Sequence, residues 1–232
     1  MSGAFVTKWD NTTVGNATTQ TVTVGTPSAT ADNLLIGCIA VKNGGDAFTE
    51  PTGWTVIHTT SLGAFGVAVY RRKATGTSAD DFACEWTDSG TPGAMVVEMS
   101  GLDADTAPEA DNIVDSGGAS VTTLQGTSTT PLTANGTAIS ILIGFNITDW
   151  AVAQTTIDAS FTIDGVPTWP SAAPNVSFAS KNYTSTAAHS PTWTTTDVGN
   201  EAMVSMLVFK DTAAGGLSIP VAMNNYYRQR MQ

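Results

Sequence analysis

The sequence predicts an all-β protein, a jelly-roll β-sandwich built from two similar four-stranded halves. Three observations predict it. Apolar landmarks recur in one order: Leu34-Leu35-Ile36-Gly37 returns as Ile141-Leu142-Ile143-Gly144, Trp86-Thr87 as Trp193-Thr194 and Ala94-Met95-Val96 as Ala202-Met203-Val204, each about 107 residues later. A period that long is a half-fold used twice, not a solenoid unit. Thr is the commonest residue and Val, Gly and Ser are abundant, and β-branched side chains suit a pleated, half-buried surface. Short alternating segments are separated by turn clusters, and no helical period persists.

The strands are expected in order. Phe5 to Trp9 and Thr19 to Val24 alternate. Leu34 to Val41 is almost continuously apolar, the pattern of a strand covered on both faces. Trp54 to Thr59 follows the turn Pro51-Thr52-Gly53, and Trp54 is expected to be half-buried. Gly66 to Arg72, Phe82 to Trp86 and Met95 to Met99 complete the first half. The clusters Asn43-Gly44-Gly45-Asp46, Ala74-Thr75-Gly76-Thr77 and Asp88-Ser89-Gly90-Thr91-Pro92-Gly93 are read as the turns between them. Residues 101–128 read as a crossover. Ala138 to Ile147, Thr156 to Ile163, Val176 to Tyr183, Thr192 to Thr196 and Ala202 to Lys210 then repeat the plan.

The sandwich is placed at 1–211, with halves at about 1–101 and 129–211, and a C-terminal arm at 212–232. Two halves of about four strands can form separate domains or one eight-stranded jelly roll. The single roll is preferred, because four strands alone bury a thin core.

A formal charge of −11 over 232 residues argues against a nucleic-acid binder, which needs a cationic face for phosphates. It argues equally against docking on an anionic membrane. Cys38 and Cys84 sit in apolar settings and read as reduced, buried thiols; no metal-ligand spacing is present. The N-terminus shows no basic region followed by an apolar stretch, so no secretory signal is read and folding in a cytoplasm is expected.

One stretch carries a resemblance. Pro51-Thr52-Gly53-Trp54-Thr55-Val56-Ile57 leads into Val67-Ala68-Val69-Tyr70-Arg71-Arg72-Lys73-Ala74-Thr75-Gly76, then Phe82, Trp86 and Met95-Val96-Val97-Glu98-Met99-Ser100-Gly101. This resembles a family of jelly-roll structural proteins of tailed bacteriophages and prophages, whose pattern runs P-x-G-W-T-x-I, Y-x-K-x-A, W and G-x-x-x-Y-x-G. Met99 stands at the second tyrosine-like position, and Arg72-Lys73 stands around the usual lysine. The likeness covers residues 30–101 best and reaches the second half only through the repeat. It implies a virion protein: a head decoration (cement) protein or a tail or fibre component.

Candidate chemistry is sparse. His58 and His189 have no second histidine at metal spacing and are given structural or surface roles. Counting alone leaves a Ser/His/Asp triad open, but no Gly-x-Ser-x-Gly elbow supports one. Asp103, Asp105, Glu109 and Asp111 form the densest acidic cluster, read as a solvated crossover rather than a calcium loop. Trp86 and Trp193 are repeat partners and expected in the core. Trp150 and Trp169, in the least repetitive stretch, are the candidate ligand or partner residues.

The arm is apolar, aromatic and basic in an acidic chain. Leu217, Ile219, Pro220, Val221, Met223, Tyr226, Tyr227, Arg228 and Arg230 are its candidate partner-binding residues, with the arginines as donors to acidic neighbours. The expectation is a non-enzymatic virion protein with no cofactor or metal. It would decorate the shell of the major capsid protein as a homotrimer, with neither nucleic acid nor membrane as partner. The alternative is a tail-tip or fibre module, or a carbohydrate-binding module, that recognises host glycans.

Overall fold

The computed structural model describes residues 3–12, 17–25, 27–43, 47–62, 65–117, 121–145, 155–158, 160–165, 174–195 and 201–212. These residues form an all-β sandwich. The first half holds β1 (Ala4–Thr12), β2 (Ala17–Val22), β3 (Leu34–Lys42), β4 (Phe48–Thr49), β5 (Thr55–Leu62), β6 (Phe65–Lys73) and β7 (Phe82–Ser100), with a 3₁₀ turn at Ser78–Asp80. The second holds β8 (Ala110–Asp115), β9 (Thr123–Gln125), β10 (Gly136–Phe145), β11 (Thr155–Ile157), β12 (Thr162–Gly165), β13 (Asn175–Tyr183), β14 (Thr192–Thr195) and β15 (Glu201–Lys210).

The repeat is carried into topology, element for element. The inner sheet of the first half runs β1-β7-β3-β6-β5, and that of the second runs β8-β15-β10-β13-β12. The outer strands match too: β2 and β4 flank the start of β7, as β9 and β11 flank β14. Each half is therefore deeper than the expected four strands. The expected crossover at 101–128 contributes β8, which pairs with β15, and β9, which pairs with β14.

Four sheet layers enclose three apolar cores. Val22, Trp54, Tyr70, Phe82 and Trp86 lie among those filling the first half. Leu142, Phe161, Trp193 and Val204 do so in the second. Between the two inner sheets, Ile36, Val69, Met95 and Met99 pack on Ile141, Phe178, Met203 and Phe209. This explains the continuous apolar runs. Along β3, Leu34, Ile36, Cys38 and Ala40 face the second half, while Leu35, Ile39 and Val41 face their own outer sheet. Side chains alternate across a strand, so a strand covered on both faces has no polar side.

Two details depart from the sequence reading. The cluster Asp88 to Gly93 ends no strand: β7 runs through it, pairing with β2 as far as Gly90 and with β3 from Thr91. It is the place where one strand leaves the outer sheet for the inner one, a corner that glycine makes easy. The apolar landmarks also slip. Met95 lies opposite Cys38 and Met203 opposite Ile143, whereas the sequence match sets Ile36 against Ile143. The slip is two residues, an even number, so the same faces stay buried.

Candidate functional site

Three places carry enough polar chemistry to be weighed: the turn that bears the resemblance, the seam between the halves, and the acidic crossover.

Several residues of the resemblance meet in one connected knot. Gly53 takes φ 77° after Pro51-Thr52, a conformation that favours glycine. Trp54 then enters the core, where it is 3% exposed rather than half-buried. Its indole N–H donates to the Asp81 carbonyl at 3.1 Å, and its ring lies 4.7 Å from that of Phe82. The polar partner at the wet end lets the whole ring go under. Asp80 is the centre of the knot. Its buried carboxylate accepts from the backbone N–H groups of Thr75 and Gly76, from the Thr75 hydroxyl and from Arg72 Nε at 2.9 Å. Burial pushes the Asp80 pKa up, and these donors more than offset it, leaving it below 3.8. Arg72 also donates to the Thr52 carbonyl, tying the knot back to the turn.

Beside this knot lies an open cleft of about 500 Å³, lined among others by Glu50, Pro51, Gly53, Arg72, Asp81 and Glu85. Among the described residues none of Glu50, Asp81 and Glu85 has an ion-pair partner. The cleft is negative.

The seam brings together three residues that the sequence keeps far apart. His58 Nε2 lies 3.0 Å from Ser205 Oγ, and His58 Nδ1 lies 3.5 Å from Asp111 Oδ2. The order of groups is that of a nucleophile, a base and an orienting carboxylate. Exposure runs the other way. Ser205 is fully buried in the middle of β15, while the Asp111 side chain is 41% exposed. The hydroxyl that would attack meets no substrate, so the trio acts as a polar tie between the halves. Burial lowers the His58 pKa from 6.5 by more than Asp111 raises it.

His189 is buried, with its ring 5.1 Å from that of Tyr183. Its pKa is lowered by burial and then by Lys181. Cys38 and Cys84 are both buried and free, with thiol pKa values raised by burial. In the crossover, Asp103 pairs with Lys210 and Asp105 with Lys73. Among the described residues no group of three His, Cys, Asp or Glu is arranged to hold a metal ion.

Trp86 and Trp193 are in the core as expected, at 4% and 1% exposed. Trp150, Trp169 and the arm residues Leu217, Ile219, Pro220, Val221, Met223, Tyr226, Tyr227, Arg228 and Arg230 lie outside the described residues. Sequence reasoning missed the seam trio and the negative cleft. Both are built from residues distant in the chain, and nothing in the local sequence marks either.

No family model, curated protein or solved structure matches this chain. The class that stands is an internally duplicated, four-layer all-β sandwich.

Proposed function

We propose that this chain is a non-enzymatic structural protein of a bacteriophage virion, a decoration protein that binds and braces the shell of the major capsid protein. The observation that carries this reading is the resemblance over residues 30–101, whose signature residues Thr52, Arg72, Thr75 and Gly76 meet around Asp80 while Trp54, Phe82 and Trp86 fill the core beside it. A signature of fold-forming residues suits a family selected for a rigid shape. The duplicated sandwich supports the reading further. Three apolar cores in series make a stiff block, suited to bridging neighbouring capsomers under internal pressure.

The mechanism is mechanical. A homotrimer would present three equivalent contacts, and many shallow contacts add through multivalency. The arm, 212–232, is the segment assigned to assembly. Truncation after Asp211 is expected to leave the sandwich folded and to abolish assembly.

Immunogold microscopy on particles from a lysate tests the reading. Dense label over heads is the expected result. Label confined to tail tips, or absent from particles, overturns it, and the former redirects attention to glycans at Trp150 and Trp169.

A further inference from the structure

We propose that the negative cleft beside the Pro51–Gly53 turn receives the C-terminal segment of a second copy of this chain, with Arg228 and Arg230 set against Glu50 and Glu85. The inference rests on the reading of this chain as a self-assembling structural protein and adds the seat of the contact.

Charge is the first argument. The cleft sets three carboxylates, Glu50, Asp81 and Glu85, around one guanidinium, Arg72. That guanidinium is already engaged by Asp80 and by the Thr52 carbonyl. Glu50 spends one oxygen on the Val56 N–H, and Asp81 accepts from the Val24 N–H. Ion-pairing capacity is left at the cleft mouth, where Glu50 and Glu85 are exposed. The chain has few cations to answer it. It holds nine Lys and Arg against twenty Asp and Glu. Lys8, Arg72, Lys73 and Lys210 each pair with an aspartate. Arg228 and Arg230 stand together at the end of the chain, flanked by Tyr226 and Tyr227. Guanidinium groups suit carboxylates, and tyrosines suit a cleft with a proline wall.

Reach is the second argument. The chain is held at Thr212, whose N–H donates to the Gly101 carbonyl at 2.9 Å. The residues beyond it, 213–232, span at most about 70 Å when extended, more than the ~45 Å across a compact domain of this size. Each chain then offers one arm and one cleft. Such a heterologous contact closes into a ring when the rotation allows, as a trimer requires.

A charge swap in the full-length chain tests this. Sedimentation velocity over a concentration series is run on wild type, E50K/E85K, R228E/R230E and an equimolar mixture of the two variants. Wild type is expected to self-associate, and each variant alone to lose at least about tenfold in affinity. The mixture is expected to regain association in alternating assemblies of the two variants, because each arm meets a cleft of opposite sign only on the other variant. Thermal melts matching wild type show that both variants are folded. A wild type that stays monomeric at every concentration overturns the proposal, whether the arm then docks on its own chain or on a foreign partner. Association of E50K/E85K alone at wild-type strength, or a mixture that remains monomeric, overturns it too. Absence of the chain from particle heads would sink the decoration reading and leave this result standing.

Discussion

His58 and Ser205 are 147 residues apart in sequence and 3.0 Å apart in space, one on β5 of the first half and one on β15 of the second. The second half meets the seam differently. His58 follows a β-bulge in β5, and Gly165 follows a bulge in β12. A Cβ at Gly165 would lie 3.1 Å from Met95 Sδ and 3.5 Å from Val97 Cγ1. A large residue opposite a small hydroxyl at one end of the seam thus answers a glycine opposite larger apolar side chains at the other. The duplicated halves pack reciprocally, β5 against β8 and β12 against β1, yet have diverged where they touch.

Removing either partner of that tie should weaken the protein, and the effects should not add. Ser205→Ala and His58→Gln are each expected to lower stability by about 1 kcal/mol. A double-mutant cycle by urea unfolding should show coupling between them. Additive losses would mean that the contact contributes nothing.

Acid should loosen the fold through its histidines. Burial lowers the pKa of His58 and His189 below the unfolded value of 6.5. The unfolded chain therefore binds more protons as pH falls below 6.5, and stability drops through that window until the folded values are passed. Melting temperature should fall between pH 7 and pH 5. His58→Gln should flatten the slope; an unchanged slope in that variant would remove His58 from the effect.

Asp80 should be the most sensitive polar residue of the first half. Asp80→Ala strips four donors of their acceptor and leaves Arg72 without its carboxylate. A loss of about 3 kcal/mol is expected by denaturant unfolding. The folded pKa of Asp80 is depressed, so its contribution is present above 3.8 and is lost as pH falls through the folded value.

Gly37 tests the packing of the same half. A Cβ there would lie 2.8 Å from the Phe82 ring. Gly37→Ala should destabilise by about 1–3 kcal/mol through overpacking. A neutral result would show that Phe82 has room to move.

Ser140 and Trp193 give a fifth measurement. The buried Trp193 N–H donates to Ser140 Oγ at 2.8 Å, whereas the buried N–H of Trp86, its repeat partner, has no partner among the described residues. Ser140→Ala should therefore lower stability by about 1–2 kcal/mol and shift the Trp193 fluorescence. No change would indicate that the hydroxyl is dispensable there.

Sequence alone determined the all-β class, the duplication and most core strands, because alternation and turn residues act over neighbours. The continuous apolar run at Leu34–Val41 even foretold a strand covered on both faces. Tertiary structure decided what depends on distant partners. It made Asp88–Gly93 a corner inside β7 rather than a turn, because β2 and β3 wait on either side to pair with it. It drew the acidic crossover into β8 and β9, because the edges of β15 and β14 were open. It set His58 against Ser205 and gathered Glu50, Asp81 and Glu85 around one cleft. Local propensity writes a strand into its own residues. A site is written into the register and layering of strands that meet only when the chain has folded.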